Sequence, residues 1–187
     1  DFEVAGLVAG ANTERLSRQL DLFPRSRFTL GDGEACESLL SGSADLGKRC
    51  AGTGTRGIVE LIETDPPDLV INALVGISGL VPTIRSLELG SDVALANKES
   101  LVTGGELIGR MEGKKGSGRI IPVDSEHFSL SRCLAGREDE AEEIILTASG
   151  GPFLGMDRDE LAGVTVSQVL DHPTWRMGRK VTVDSAM

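Results

Sequence analysis

Short apolar runs alternate with segments of helical period along the first hundred residues of the chain. The apolar runs predict strands at residues 2–9, 26–30, 68–74 and 92–96. The segments of helical period predict helices at residues 11–23, 55–63 and 80–89. Strands that are almost wholly apolar and are separated by helices indicate a parallel sheet covered on both faces. This half of the chain therefore predicts an open, mostly parallel α/β sheet of the doubly wound kind.

Two of the predicted helices carry an apolar stripe on one face. The stripe residues are Leu16, Leu20 and Phe23 in the first helix and Ile58, Leu61 and Ile62 in the second. A stripe at this spacing predicts the face that packs against the sheet.

The pattern changes after the polar, glycine-bearing segment 114–118, which predicts a surface loop between two domains. We therefore place one domain at residues 1–117 and the start of a second, α+β domain at residues 118–187. The second domain is predicted to contain a helix at 125–134 and strands at 120–123, 143–146 and 181–183. Residues 149–180 carry glycine and proline without a regular period, and loops of that length are usually functional or mobile.

Composition narrows the class of protein. Hydrophobic residues make up 40% of the 187 positions, as in ordinary globular domains. The net charge of −10 argues against a nucleic-acid partner, which would require a basic face. No apolar run approaches the roughly 20 residues of a membrane helix, and the opening Asp-Phe-Glu does not resemble a secretory signal. The three cysteines form no CxxC pair, so reduced thiols are expected.

Small and polar residues follow several of the predicted strands. Gly10, Ala11 and Asn12 follow the first strand, and the glycine-bearing segment at 72–80 forms the end of a later one. Ligands bind at this carboxyl edge in open α/β sheets. A plain strand-to-helix turn explains residues 10–12 equally simply, so both interpretations stay open.

Asn97, Lys98 and Glu99 come directly after the apolar strand at 92–96. Amide and charged side chains at a strand end are suited to binding a polar ligand. The alternative is structural, since Asn97 can cap a helix that has Glu99 in its first turn.

Asp124 and Glu126 follow the strand at 120–123 with Ser125 between them and His127 after them. Spacing of two residues after a strand puts both carboxylates on one side of the chain. Hard oxygen ligands of this kind suit Mg²⁺ or Mn²⁺. The competing interpretation is an Asp124 helix cap with an acidic first turn.

Two further segments can hold a phosphate. Ser149 begins a glycine turn whose exposed amides resemble an anion-binding nest, and a plain turn is the competing interpretation. His172 and Trp175 lie in a basic loop, and Trp175 is the only tryptophan of the chain. A tryptophan far from any periodic segment is better suited to a lid that excludes water than to a core.

Five segments together resemble one enzyme family. They read VAGAN (8–12), LANKESLV (95–102), IPVDSEH (121–127), SGGPF (149–153) and HPTWRMGRKVTVDSA (172–186). In their order and spacing they resemble the successive signatures of 1-deoxy-D-xylulose 5-phosphate reductoisomerase. Each segment is a weak signal alone, but the five span the whole chain and are highly specific together.

The resemblance implies a Rossmann-like NADPH-binding domain followed by part of a catalytic domain. The implied activity rearranges 1-deoxy-D-xylulose 5-phosphate and reduces the product with NADPH to 2-C-methyl-D-erythritol 4-phosphate, in non-mevalonate isoprenoid biosynthesis. The resemblance also implies a divalent cation (Mn²⁺, Mg²⁺ or Co²⁺) and a homodimer in the full-length protein. The expected location is the cytoplasm of a bacterium, or the plastid stroma.

The resemblance assigns roles to particular residues. The NADPH contacts would be Gly10, Ala11, Asn12, Asn97, Glu99 and Gly178, and the metal ligands Asp124 and Glu126. The substrate contacts would be Lys98, Ser125, Ser149, His172, Trp175, Met177 and Ser185. Lys98, Asp124, Glu126 and His172 would carry the catalysis, and Trp175 and Met177 would belong to the lid.

The chain also departs from the family pattern. It resembles a member truncated at both ends, in which the first strand and its glycine-rich loop are absent from the N-terminal side. On the C-terminal side the Asn-Lys-Gly-Leu-Glu run, which supplies the third metal carboxylate, and the helical domain are absent. Residues 128–132 differ from the usual apolar helix. An inactive remnant of the enzyme and another NAD(P)-dependent dehydrogenase therefore remain as alternatives. We expect the 187 residues alone to bind NADPH weakly and to turn over no substrate.

Overall fold

The computed structural model describes residues 2–111, 113–145, 150–174, 176 and 178–185. Two compact units are present, Asp1–Gly136 and Arg137–Met187. The predicted domain boundary after residue 117 stays a prediction.

The first unit contains six strands and seven α-helices among its described residues. In chain order its first half consists of β1 (Gly6–Ala9), α1 (Thr13–Leu22), β2 (Arg27–Leu30), α2 (Gly33–Ser41), α3 (Ala44–Arg49), β3 (Cys50–Thr53) and α4 (Gly54–Thr64). Its second half consists of β4 (Leu69–Asn72), α5 (Leu80–Glu88), β5 (Asp92–Leu95), α6 (Lys98–Gly109), β6 (Ile120–Pro122) and α7 (Ser125–Leu134). A 3₁₀ turn at Gly76–Gly79 precedes α5.

The strands form two parallel sheets with the orders β1-β2-β3 and β4-β5-β6. Parallel strands joined by helices confirm the predicted α/β class. Each sheet has its own buried cluster. The first consists of Leu16, Leu20, Phe28, Leu30 and Cys36, and the second of Leu87, Val93, Leu95, Ile108 and Met111.

The helix stripes are confirmed in part. Leu16 and Leu20 are almost fully buried, and Ile58 and Ile62 are buried as well. Phe23 is an exception, because it lies past the end of α1 and is 37% exposed.

Strand β4 differs from the buried strand that its apolar sequence predicts. Ile71 is 73% exposed, and Leu69 is exposed too. Among the described residues β4 pairs with β5 only, so one of its edges has no strand partner. The apolar run therefore predicted the strand correctly, but the burial of its side chains was predicted wrongly.

The second unit contains a 3₁₀ turn at Glu138–Glu140 and three short α-helices among its described residues: α8 (Arg158–Leu161), α9 (Val166–Val169) and α10 (Arg179–Asp184). The strand predicted at 181–183 is wrong, since these residues belong to α10, where the Thr182 amide donates to the Gly178 carbonyl oxygen at 3.1 Å. The strand predicted at 143–146 is also wrong for residues 143–145, which are irregular and exposed. Three β-branched or apolar residues in a row are too short a pattern to separate a strand from other structure.

Helices α8 and α9 lie inside the long segment that was expected to be a loop. Each begins with a capping box, Asp157 with Glu160 in α8 and Thr165 with Gln168 in α9. In each capping box the N-cap residue is followed three positions later by Glu or Gln, and this spacing can be recognised in the sequence. No helix in the described ranges is both long enough and apolar enough to cross a membrane.

Candidate functional site

Asp124 ends the segment after β6 and caps helix α7. Its Oδ2 atom accepts hydrogen bonds from the His127 backbone amide at 3.2 Å and lies 2.7 Å from His127 Nδ1. The Asp124 side chain is only 8% exposed. The capping interpretation of Asp124 is therefore realised, and the carboxylate is held in one orientation at the carboxyl edge of the sheet.

Glu126 lies in the first turn of the same helix. Its Oε1 atom accepts from Lys98 Nζ at 2.9 Å, and its Oε2 atom accepts from Ser125 Oγ at 2.9 Å. The hydrogen bond from Lys98 is the main reason why the pKa of Glu126 falls to about 2. Glu126 also raises the pKa of Lys98, so both groups are charged at neutral pH.

Strand pairing explains how Lys98 reaches Glu126 across 28 residues of sequence. Lys98 is the first residue of α6, which follows β5, while Glu126 follows β6. Strands β5 and β6 are parallel neighbours, with Val93 opposite Ile120. Their carboxyl ends therefore meet at one edge, and the structure brings Lys98, Asp124, Ser125 and Glu126 together there.

Asn97 is the buried anchor of this edge, with only 2% of its surface exposed. Its Nδ2 atom donates to the carbonyl oxygens of Leu74 and Gly76, the latter at 2.8 Å. Its Oδ1 atom accepts from the Ser100 amide at 2.9 Å, which caps helix α6, and from the Ser100 hydroxyl. Every hydrogen-bonding group of the side chain thus has a protein partner. The structural alternative for Asn97 is realised, and an NADPH contact at this residue stays a prediction.

The close approach of Gly79 is what leaves room for the Asn97 amide. A Cβ atom on Gly79 would lie 2.8 Å from Asn97 Cγ, well inside contact distance. Glycine at this position therefore serves packing against Asn97 in addition to ending the 3₁₀ turn.

Asn72 was predicted only as the first residue of the strand-end segment at 72–80 and was assigned no role of its own. It is the last residue of β4 and is 3% exposed. Its Nδ2 atom donates to Gly79 O at 2.8 Å and Thr83 Oγ1 at 2.7 Å, and its Oδ1 atom accepts from the Leu74 amide. Asn72 and Asn97 together fix the turn between β4 and α5. The available signal was an amide residue at the end of an otherwise apolar run.

Gly10, Ala11 and Asn12 follow β1 and are exposed. Asn12 Oδ1 accepts from the Arg15 amide at 2.9 Å and caps α1. Nothing lies within 4 Å of a Cβ built on Gly10, so its surroundings are open. The strand-to-helix turn that was one interpretation of these residues is therefore present. The three residues lie at the end of the first sheet, whereas Lys98 and Glu126 lie at the end of the second sheet. Glu99 is half-buried in the first turn of α6.

The second unit contains the remaining described candidates. His172 is 9% exposed, and its Nδ1 atom accepts from the Thr174 amide at 3.1 Å. A cavity of about 550 Å³ lies beside it, lined by Leu170, Asp171, His172, Pro173, Thr174, Arg176 and Thr182. Gly178 is the cap residue of α10. Ser185 ends the same helix and donates to the Val181 carbonyl oxygen at 2.8 Å.

Three predicted contacts, Ser149, Trp175 and Met177, lie outside the described residues. For His172, Gly178 and Ser185 the structure gives local positions within the second unit. Lys98, Asp124, Ser125 and Glu126 are the predicted residues that it brings into one cluster.

The oxygen ligands of this cluster are of the type that binds a hard divalent cation, but they are too few to fill its coordination shell. Asp124 and Glu126 supply two carboxylates, and no group of three or more His, Cys, Asp or Glu side chains within metal-binding reach exists in the described ranges. Mg²⁺ is often held by one or two carboxylates with water and substrate oxygens completing its shell. The two carboxylates therefore fit a cation that substrate or a further protein ligand also holds.

These features define the class of protein: an open, parallel α/β protein with a Rossmann-like first domain. The sequence matches the family profile for 1-deoxy-D-xylulose 5-phosphate reductoisomerase at residues 1–105 and that for the C-terminal domain of the same enzyme at residues 120–187. The chain belongs to the 1-deoxy-D-xylulose 5-phosphate reductoisomerase family.

Individual relatives agree with the family match. The chain is 42% identical over 188 aligned positions to the 1-deoxy-D-xylulose 5-phosphate reductoisomerase of Thermoanaerobacter sp. (strain X514), covering 100% of this chain and 48% of the relative. A crystal structure of DOX-P reductoisomerase in complex with NADPH, fosmidomycin and magnesium matches with a TM-score of 0.81 and 28% identity, over 98% of this chain and 48% of that one. The Zymomonas mobilis enzyme in complex with NADPH matches with a TM-score of 0.80 and 32% identity, over 99% and 47% of the two chains. The chain thus spans about half the length of the relatives it matches.

Proposed function

We propose that the polypeptide carrying this chain converts 1-deoxy-D-xylulose 5-phosphate into 2-C-methyl-D-erythritol 4-phosphate with NADPH. The observation that carries the proposal is the cluster of Lys98, Asp124, Ser125 and Glu126 at the carboxyl edge of β5 and β6. A cation, two carboxylates and a hydroxyl at one edge can bind a polar, oxygen-rich substrate. Membership of the reductoisomerase family supports the particular substrate.

Asp124 and Glu126 would hold the divalent cation, Mg²⁺, Mn²⁺ or Co²⁺. Such a cation, when bound, supplies positive charge that stabilises an oxyanion on the substrate. To hold the cation, Glu126 would turn its Oε1 atom away from Lys98. The Lys98 ammonium would then bind substrate oxygens beside Ser125. Asp124 keeps its orientation through its hydrogen bonds to His127.

NADPH, when bound, supplies the hydride for the reductive half of the reaction. We assign its contacts to Gly10, Ala11, Asn12, Asn97, Glu99 and Gly178. Because the Asn97 side chain is fully used inside the protein, its contribution would be to hold the turn at residues 74–76. The exposed Gly10 turn leaves open space at the end of β1.

The substrate phosphate would be held by Ser149, His172 and Ser185. Thr174 donates to Nδ1 of His172 at 3.1 Å, which holds the imidazole ring in one orientation. Trp175 and Met177 would form the lid that excludes water from the reacting carbonyl. We further propose that the whole protein is a homodimer. We also propose a cytoplasmic location, which the bacterial source of its relatives supports.

The 187 residues by themselves would not form the whole site. The observation behind this second proposal is that two carboxylates, and no third, meet in the described part of the cluster. We expect this chain to bind NADPH weakly and to show no turnover.

One experiment compares the chain with a polypeptide extended by its own flanking coding sequence. NADPH absorbance is followed with 1-deoxy-D-xylulose 5-phosphate and Mn²⁺. The extended protein is expected to oxidise NADPH, and the 187-residue chain is not. An extended protein that oxidises NADPH only with an unrelated carbonyl substrate would refute the proposed function. Robust turnover by the chain alone would refute the second proposal and leave the first intact.

A further inference from the structure

Away from the proposed catalytic cluster, two cysteines face each other beneath the first sheet. Cys36 lies in α2 and Cys50 is the first residue of β3, and their Sγ atoms are 3.6 Å apart. We propose that Cys36 and Cys50 form a dithiol site that closes to an intramolecular disulfide by exchange with a low-molecular-weight disulfide. The proposal goes beyond the reductoisomerase function and does not depend on it.

The fold holds the two sulfur atoms in this position. Cys36 belongs to the buried cluster with Phe28, and Phe28 is the parallel partner of Cys50 across β2 and β3. A disulfide requires the sulfur atoms to approach to about 2.05 Å. Closing the remaining gap of about 1.5 Å requires χ1 rotation of the two side chains and small backbone shifts. The third cysteine, Cys133, is exposed in α7 and is not part of this pair.

The two thiols differ in accessibility, which fixes the order of the reaction. Cys36 is 2% exposed, whereas Cys50 is half-buried and is therefore the more accessible of the two. Burial is the main reason why the pKa of the Cys36 thiol rises to about 11, and the hydrogen bond with Cys50 adds to the rise. Cys50 is therefore the thiol that attacks first, and Cys36 resolves the mixed disulfide.

The exchange balances in two steps. The Cys50 thiolate attacks one sulfur atom of the small disulfide, which forms a mixed disulfide and releases one small thiolate. Deprotonated Cys36 then attacks Cys50 Sγ, which forms the Cys36–Cys50 bond and releases the second small thiolate. Two protein thiols are oxidised and one small disulfide is reduced to two thiols.

Closure would also change the turn that begins α4. The Gly52 amide donates to Cys50 Sγ at 3.4 Å, and a disulfide would draw that sulfur atom towards Cys36. The Gly52 carbonyl oxygen would keep its hydrogen bond from Thr29 Oγ1 at 2.6 Å. A cavity of about 280 Å³ adjoins this turn, lined by Ala51, Gly52, Thr53, Arg56, Gly57 and Glu60. The dithiol therefore lies one residue away from the wall of a surface cavity.

The test treats the 187-residue chain with oxidised glutathione, quenches with acid, and alkylates the remaining thiols in denaturant. Trypsin cleaves after Arg27, Lys48, Arg49 and Arg56, so Cys36 and Cys50 fall in different peptides that only a disulfide joins. Mass spectrometry is expected to find the joined peptides as the main product, with Cys133 glutathionylated or alkylated separately. Because thiolates attack, the rate of closure is expected to rise with pH.

Two variants keep the test decisive. Cys133→Ser retains the pair and is expected to close like the unaltered chain. Cys50→Ser removes the accessible thiol without emptying the buried cluster, and oxidation of Cys36 is expected to slow by roughly tenfold or more. Circular dichroism checks that both variants fold. Complete glutathionylation of Cys50 with Cys36 still alkylated would overturn the proposal, as would joining of Cys36 to Cys133 in comparable yield.

Discussion

Residues 2–136 and residues 137–185 are stabilised in different ways. The first region buries two apolar clusters beside parallel strands. In the described part of the second region Phe153 is the one buried hydrophobic side chain, and the α-helices are four to six residues long. The second region relies on local capping, whereas the first relies on long-range packing.

This difference decides how each region positions its candidate residues. Lys98 and Glu126 meet because two parallel strands end side by side, and Asn97 holds that edge from within. Ser185, at the end of the six-residue helix α10, is positioned by hydrogen bonds to residues three and four positions before it. We therefore expect the first cluster to form without ligand and the second set to depend on substrate or on further polypeptide for its final arrangement.

The largest expected effect comes from the cluster of the first region. In the extended, active protein, Glu126→Gln removes a proposed metal ligand and the partner of Lys98. NADPH-coupled turnover is expected to fall at least about 100-fold, because a charge contact to the reacting centre is lost. Glu106→Gln is the control, since Glu106 is an exposed carboxylate of α6 that pairs with Arg110. Activity of Glu126→Gln within about twofold of the control would remove Glu126 from the site.

The next effect compares a buried helix cap with an exposed one. Asn97→Ala leaves the Leu74 and Gly76 carbonyl groups and the Ser100 amide without their partner, and should lower the free energy of unfolding by about 3 kcal/mol. Asn12→Ala removes only the exposed cap of α1 and should cost about 1 kcal/mol. Urea unfolding of the 187-residue chain measures both. Equal losses would show that the contacts of Asn97 beyond its cap contribute nothing.

A smaller effect is expected in the second region. Asp157→Ala removes the capping box of α8, where Asp157 accepts from the amides of Asp159 and Glu160 at 3.0 Å. The loss should be about 1 kcal/mol and should stay local, because α8 is not part of a buried cluster. Hydrogen exchange is expected to speed up at those two amides and to stay unchanged in β5. Faster exchange in β5 would contradict the separation of the two regions.

The smallest effect is the response of the Lys98–Glu126 pair to acid. The pKa of Glu126 is lowered from 4.5 to about 2, mainly by the hydrogen bond from Lys98. A lowered pKa in the folded state contributes stability that is complete above about pH 4.5 and is lost as the pH falls towards about 2. Both side chains are nearly half exposed, so the effect is modest. Urea unfolding at about pH 6 and about pH 3 should show a larger acid loss for the unaltered chain than for Glu126→Gln. Equal losses would show that the pair adds no stability.

Sequence patterns predicted the elements of the first region well. The helix at 125–134 is confirmed at both ends as Ser125–Leu134, and the strand at 92–96 is confirmed as Asp92–Leu95. Helices α2 and α3 and strand β3 were not predicted. Their segment is rich in glycine and serine, so its periodicity is weak, although Asp32 caps α2 through the Ala35 amide at 2.8 Å. Only the packing of Cys36 and Cys50 against Phe28 and Leu30 shows why these elements form.

The second region was predicted less well for a physical reason. Val181 and Val183 favour a strand by intrinsic preference, yet they lie in α10, where local hydrogen bonds decide the conformation. The capping boxes of α8 and α9 were readable, but four-residue helices have too few apolar positions for a period to be detected.

The sequence by itself determined the parallel α/β class, the family and the chemistry available at Asp124, Ser125 and Glu126. These depend on local order along the chain, namely residue type, period and motif. The tertiary structure decided that Lys98 pairs with Glu126 and that Cys36 faces Cys50. It also decided that the Asn97 side chain makes its hydrogen bonds to other groups of the protein. Such contacts join residues 14 to 28 positions apart, and only the pairing of strands and the packing of helices brings them within hydrogen-bond distance.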